Sequence, residues 1–252
     1  MSISRPSYAI VTGASQGIGQ ACALALLQQG WHVALLGRRQ DALQSVADMS
    51  GAGQRARVCV TDVSDATAVQ ALYQTLQNEW PQLNLLFNNA GVFTPAASPD
   101  ETSLDHWHAS VNTNLNGAFY MLKHAFSWMR QQHPQGGRII NNGSIAAQVP
   151  RPRSITYAAT KSAMTGLTRA AALDGRAFNI AVGQIDIGNA ASDMTAAMGQ
   201  GALQADGSIK AEARMDMSAV VETFMAMVNL PLHANVLNTT VYATGMPFIG
   251  RG

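Results

Sequence analysis

Apolar residues in this chain fall in short runs separated by longer stretches of helical period. Tyr8 to Thr12, His32 to Leu36, Arg57 to Thr61, Leu83 to Phe87, Arg138 to Asn142 and Phe178 to Ile187 read as strands, with Val236 to Ala243 as a last one. Between them Ile18 to Gln29, Asp65 to Trp80, Ser103 to Arg130, Thr156 to Leu173 and Met217 to Asn229 carry helical patterns. Gly30 suits a helix C′ position, and Thr102-Ser103-Leu104-Asp105 is similar to a capping box. Strands alternating with helices predict βαβ units. The fold class that follows is α/β: a doubly wound, Rossmann-type parallel sheet of about seven strands with helices on both faces.

Turn-forming clusters fall in the connections, at Gly51-Ala52-Gly53, Pro95 to Pro99 and His133 to Gly137. No repeat and no linker divides the chain, so residues 1–252 are read as one domain. Asn189 to Met215 is the one long stretch without a strand pattern, and is either a surface insert or a substrate lid.

Composition narrows the function. The 252 residues are 47% hydrophobic and 12% charged with a net charge of +1, which is a globular balance. The sixteen Lys and Arg form no basic stripe, so no nucleic-acid partner is expected. No run of eighteen apolar residues appears, and the N-terminus lacks a signal-peptide core, so no membrane partner is expected. Cys22 and Cys59 are far apart, form no CxxC, and are expected to be free buried thiols of a cytoplasmic protein.

Thr12-Gly13-Ala14-Ser15-Gln16-Gly17-Ile18-Gly19 lies between the first predicted strand and the first helix. Glycines there admit a pyrophosphate to the backbone, and the helix N-terminus offers N–H donors and partial positive charge. The spacing is G-x-x-x-G-x-G, and no G-x-x-x-x-G-K-[ST] occurs, which argues against an NTPase. A carboxylate after the second strand would select NAD; Arg38 and Arg39 stand there instead, and a guanidinium fork suits the 2′-phosphate of NADP. The alternative for these arginines is a pair of solvated loop charges. NADP(H) is preferred on this reading, with NAD(H) possible.

Tyr157-Ala-Ala-Thr-Lys161 opens a predicted helix, where positions i and i+4 share a face. An ammonium about 4 Å from a phenol, at an effective dielectric near 20, favours phenolate by about 4 kcal/mol. That is roughly three pK units, enough to bring a tyrosine toward 7 before desolvation opposes it. Many helices carry such a pair by chance. Ser144, thirteen residues upstream and just after the fifth strand, adds a hydroxyl at the ligand crevice of a parallel sheet; its other reading is a capping serine.

Together TGASQGIG from Thr12, Asp62-Val63, Asn88-Asn89-Ala90-Gly91, Asn114, Ser144 and YAATK from Tyr157 resemble, in order, the short-chain dehydrogenase/reductase family over nearly the full length. The resemblance implies an NAD(P)(H)-dependent oxidoreductase moving a hydride between nicotinamide and a small-molecule carbonyl or alcohol, without metal. It implies Tyr157 as general acid/base, Ser144 as carbonyl orienter and Lys161 as nicotinamide-ribose ligand. Asn114, chosen over Asn112 because Gly117 follows, would hold a relay water. Gly13, Ser15, Gln16, Gly17, Ile18 and Gly19 would bind the cofactor with Arg38 and Arg39. Asp62 and Val63 would flank adenine, Asn89, Ala90 and Gly91 would lie along the cofactor, and Gly188 and Ser192 would meet the carboxamide. A homodimer or homotetramer is implied, with the apolar tail Met246 to Gly252 either a subunit contact or a cover for its own core. The competing class is a nucleotide-sensing or interaction scaffold without turnover, although such scaffolds typically lose Tyr or Lys.

Departures from the family pattern include Ile187-Gly188 in place of Pro-Gly, Asn84 in place of aspartate, and Asp186 where apolar residues are usual. A buried carboxylate needs a partner, and Arg176 is one candidate for Asp186. Arg151 or Arg153, between Ser144 and Tyr157, either recognises an anionic substrate group or sits in a solvated loop. Met194, Met198 and Met215 either line a lid or pack into the scaffold.

Overall fold

The computed structural model describes residues 6–191 and 201–249. Its elements run β1 Tyr8–Thr12, α1 Gly17–Gln28, β2 His32–Gly37, α2 Gln40–Ser50, β3 Ala56–Val60, α3 Ala66–Glu79 and β4 Leu85–Asn88. Then come α4 Leu104–Ser110, a π-helical turn Val111–Gly117, α5 Ala118–Gln131, β5 Gly137–Asn142, α6 Ile155–Gly175 and β6 Ile180–Gly188. A short pair, β7 Ala202–Leu203 and β8 Ile209–Lys210, precedes α7 Met217–Val228 and β9 Asn238–Tyr242.

Seven strands form a sheet in the order β3-β2-β1-β4-β5-β6-β9, and every pairing in it is parallel. Both faces are covered, which is why the strands read as continuous apolar runs. Alternation divides them between two cores. Ala9, Val11, Leu85 and Phe87 pack with α1, α2 and α7. Ile10, Leu36 and Leu86 pack with α3 and α5 on the other side. At about 25 cal/mol per Å² these two faces supply the main stabilisation of the sheet. The predicted α/β class is what the chain forms.

Differences from the sequence reading have local causes. The predicted helix from 103 to 130 is broken by the π turn, in which Asn114 is buried and Asn112 exposed. Helix α2 was not predicted, because only Leu43 and Val46 anchor it and no side chain caps its start. The stretch 189–215, predicted to hold no strand, contains the antiparallel β7–β8 pair. Two residues per strand are too few to show alternation; the turn is set by Asp206, whose carboxylate accepts from Ser208 N at 2.9 Å. The helix cap falls one residue later than the capping box at Thr102 and Asp105 predicts: Ser103 is the N-cap and accepts from His106 N at 3.2 Å, while Thr102 donates to the Ser98 carbonyl.

Candidate active site

Strand order reverses between β1 and β4, whose C-terminal ends open into a cavity of about 690 Å³. Such a reversal is the ligand crevice of open parallel sheets. Gly13, Ser15, Gln16, Gly17, Ile18, Arg38, Arg39, Asp62, Val63, Asn89, Ala90, Gly91, Ser144, Tyr157 and Lys161 all line it. Gly19, Asn114 and Gly188 are not among its lining residues. Ser192 lies outside the described residues, as do Met194 and Met198.

At the floor, Thr12 joins the glycine turn to β4. Its hydroxyl oxygen accepts from Asn89 N and Ala90 N, each at 2.8 Å, while Asn89 Nδ2 donates to Thr12 O at 2.8 Å. Gly19 serves this turn from beneath: a Cβ there would overlap the Gly13 carbonyl. The N-cap of α1, Gln16, makes no side-chain cap, so the first N–H groups of the helix face the cleft uncapped by it. At the far end Arg39 donates to Ser15 Oγ at 3.3 Å and to Gln16 Oε1, and Arg38 lies 4.0 Å from Asp62. Both arginines are therefore in the cleft wall. Burial pushes the Asp62 carboxyl up, yet its bonds from Ser64 and the Arg38 charge bring it below the usual range.

This cradle fits a nicotinamide dinucleotide. The glycine turn admits backbone to a pyrophosphate, and Asn142, on the cavity wall, has a buried Oδ1 with no hydrogen-bond partner among the described residues. Among the described residues no group of three or more His, Cys, Asp or Glu could hold a metal ion, and no helix is long and apolar enough to cross a membrane.

The reactive end is assembled from β5, α6 and the loop between them. Ser144 is buried and its oxygen accepts from Ala146 N at 3.1 Å, so the capping role and a place in the cleft coexist. Lys161 Nζ donates to the Asn142 carbonyl at 2.6 Å and lies 5.6 Å from the Tyr157 ring centroid. The expected descent of the phenol pKa toward 7 is not what the chain by itself produces. Burial pushes Tyr157 up to about 12, against a hydrogen bond from Ser144 and the charge of Arg151, with Asp186 adding to the rise. Burial also pulls Lys161 down to about 8, and the Asp186 charge opposes it. The i, i+4 spacing brought the two groups to one face, but it carries no information on how deeply both are desolvated.

Asn114 is held by protein groups at both polar atoms. Its Oδ1 accepts from Val92 N at 2.7 Å, and its Nδ2 donates to Val92 O at 3.0 Å, Ser110 Oγ at 3.2 Å and Thr160 Oγ1 at 3.3 Å. Gly188 packs toward Ile145, Tyr242 and Met246, leaving Ile187 and Asn189 on the cleft.

Asp186 is not paired with Arg176. Helix α6 runs antiparallel to β6, so Arg176 lies at the start of that strand and Asp186 near its end. Three amides hold the carboxylate: Gln184 Nε2 at 2.7 Å, Asn238 Nδ2 at 2.9 Å and Gln148 Nε2 at 3.3 Å. Behind it a row of buried polar side chains crosses the sheet. Asn88 donates to the Ala118 carbonyl and to Asn141, Asn141 to Thr168, Thr168 to Gln184, and Gln184 to Asp186.

Sequence reasoning missed Phe93, Asn142 and Asn189, which line the cleft. Asn142 ends β5 and Asn189 directly follows β6, the position that marks a crevice residue, and that signal was there to be read. The two arginines proposed for an anionic group are engaged: Arg151 with Glu212, and Arg153 with Glu101 at 2.5 Å.

The family model for short chain dehydrogenases matches residues 7–202. The chain is 34% identical over 166 residues to a 3beta-hydroxysteroid dehydrogenase of Mediterraneibacter gnavus, covering 66% of this chain and 59% of that protein, less than two thirds of its length. It is 28% identical over 236 residues to sulfoacetaldehyde reductase 2 of Chromohalobacter salexigens, covering 93% of each. Among solved structures, a short chain dehydrogenase from Burkholderia cenocepacia J2315 in complex with NADP is similar with a TM-score of 0.80 and 27% identity, covering 95% of this chain and 97% of that one. The chain belongs to the short-chain dehydrogenase family and is an NAD(P)-dependent oxidoreductase acting on a carbonyl/alcohol pair.

Proposed function

We propose that Tyr157 is the general acid/base of this oxidoreductase, Ser144 the hydrogen-bond donor to the substrate oxygen, and Lys161 the cation that stabilises the phenolate and binds the nicotinamide ribose. The observation that carries the reading is the meeting of these three side chains with the glycine turn in one cavity. When bound, the nicotinamide supplies or takes the hydride. At neutral pH the Tyr157 phenol holds its proton, the form from which a developing alkoxide draws. Ser144 turns its hydroxyl toward the same oxygen and fixes which carbonyl lone pair the phenol meets. Asn114 secures Val92 at the edge of the cleft and Lys161 is held by the Asn142 carbonyl, so both the wall and the ammonium are pre-positioned. Tyr157→Phe should lower kcat by about 10²–10⁴-fold, the usual contribution of general acid/base catalysis. NADPH binding, followed by fluorescence, should persist. Full activity in the phenylalanine variant would refute the role.

Arg38 and Arg39 on the wall, with no carboxylate ending β2, support a preference for NADP(H) over NAD(H), as does the NADP complex of the Burkholderia relative. A higher kcat/KM with NADH than with NADPH would overturn it. Of the substrate lid expected around 189–215, residues 192–200 lie outside the described residues; Asn189, Ala190, Gly201, Ala202 and Leu203 on the cleft wall support a substrate-side role for the rest, within a single domain. The exposed apolar side chains Leu104, Trp107 and Phe119 on α4 and α5 support a homodimer or homotetramer, tested by light scattering on the eluting species. Free buried thiols at Cys22 and Cys59 suit the cytoplasm.

A further inference from the structure

Beyond Tyr157, away from the glycine turn, the cleft wall is built from Phe93, Ala96, Ile145, Pro152, Ala190 and Leu203. Phe93 lies against the Tyr157 ring, 4.1 Å between centroids, with 41% of its surface open. The polar side chains here are turned on one another. Thr94 and Thr156 share a hydrogen bond of 2.7 Å, and Ser154 donates to the Arg151 carbonyl at 2.6 Å.

Two arginines border this end. Arg153 pairs with Glu101 across a half-exposed gap on the outer loop. Arg151 is committed more deeply. Its Nη2 donates to Glu212 Oε2 and, at 2.8 Å, to Asn189 Oδ1. Glu212, with a side chain only 1% exposed, also accepts from Asn189 Nδ2 at 2.8 Å and Gln204 Nε2 at 3.0 Å. Burial pushes this carboxyl up, but the bonds from Arg151, Gln204 and Asn189 outweigh it and hold it at about 2. Turning Arg151 toward a ligand would take the guanidinium from a buried carboxylate, which is among the costlier rearrangements open to a folded chain.

We propose that the substrate end of the cleft takes a neutral, predominantly apolar ketone or secondary alcohol, and that Arg151 fastens the 201–215 segment to the Ser144–Tyr157 loop instead of receiving an anionic group. The inference rests on the hydride-transfer reading above. Arg151 is here a positioning residue: through Glu212 it sets where Asn189 and the β7–β8 pair stand beside the reacting centre. An acidic substrate would lose its hydration on the apolar wall, where the lining cations Arg151, Arg153 and Lys161 are already held by Glu212, Glu101 and the Asn142 carbonyl.

The test uses the full chain with NADPH and a matched pair: a phenyl alkyl ketone, and the same ketone bearing a ring carboxylate. The neutral ketone should have the higher kcat/KM by about tenfold or more, the scale on which one unpaired polar group is rejected. In Glu212→Gln the Arg151 guanidinium loses its ionic partner, and the ratio should move several-fold toward the acid. Preference of the wild type for the acid overturns the inference, as does an unchanged ratio in a Glu212→Gln protein whose circular dichroism matches wild type. If that variant does not fold, the wild-type ratio decides alone. Failure of both ketones, while NADPH fluorescence shows binding, overturns the inference and leaves the hydride-transfer reading to the Tyr157→Phe test.

Discussion

The carboxylate of Asp186 lies directly behind Gly143, so that a side chain at 143 would overlap it and would sit 2.6 Å from Gln184 Nε2. Glycine is required here by proximity, and the residue it positions is Ser144, the next in the chain. The carboxylate cannot step aside without giving up amide donors that nothing else satisfies.

Gly143→Ala should therefore destabilise the protein by about 1–3 kcal/mol, the usual range for overpacking. For a chain of this size, each kcal/mol corresponds to about 2–4 °C in Tm. Displacement of Ser144 should lower kcat alongside the fall in Tm. Calorimetry and initial rates on the same preparation check both, and a variant with wild-type Tm and kcat would contradict the packing described.

Lys161 provides a pH signature. Its folded pKa of about 8 lies below the ordinary lysine value of 10.5. The unfolded chain therefore binds the extra proton between those values, and stability rises with pH across that window. Below about 8 the burial cost is carried in full. The cysteines work in the opposite direction, because burial pushes Cys59 up to about 11 and Cys22 higher still, and Tyr157 does so above 10. The difference between wild type and Lys161→Met isolates the lysine. Relative to the variant, wild type should gain about 2 kcal/mol in denaturant stability between pH 8 and 9.5, at 1.36 kcal/mol per pH unit. Parallel curves would show that Lys161 is not desolvated as described.

Asp186→Asn removes a negative charge that raises both Lys161 and Tyr157. Without it the ammonium is less favoured and the phenolate more favoured, so both groups titrate at lower pH. The basic limb of the kcat/KM profile should move acidward, while KM for NADPH changes little. A limb that stays in place would separate Asp186 from the reacting groups.

Legibility of the chain followed from where its information is stored. Parallel strands buried on both faces print themselves as apolar runs, so the sheet and the positions of Ser144, Tyr157 and Lys161 at its mouth were readable from period and order. Helix α2, with two buried anchors, printed almost nothing. The reading of Asn114 over Asn112 picked the buried member of the pair, but its grip on both polar atoms of Val92 depends on a π turn that no periodicity announces. Arg151 was visible as a charge between two reactive residues. Its partner, Glu212, lies sixty-one positions away in a stretch with little pattern, and only the folded chain brings them together. The ionisation of Tyr157 was misjudged for a related reason: pair spacing reports direction of approach, whereas exposure to water is set by everything packed around the pair.

The row from Asn88 to Asp186 has a polarity, since each amide nitrogen or hydroxyl points toward the next oxygen and the last oxygen belongs to an anion. An anion has no hydrogen to offer, which fixes the orientation of Gln184 and, through it, of Thr168 and Asn141. Exchanging any one member for a side chain of opposite donor sense would set two hydrogens face to face inside the core. Replacement by a residue of reversed donor sense at Asn88, Asn141, Thr168 or Gln184 is therefore workable only as a coordinated set, with these four redesigned together or left alone.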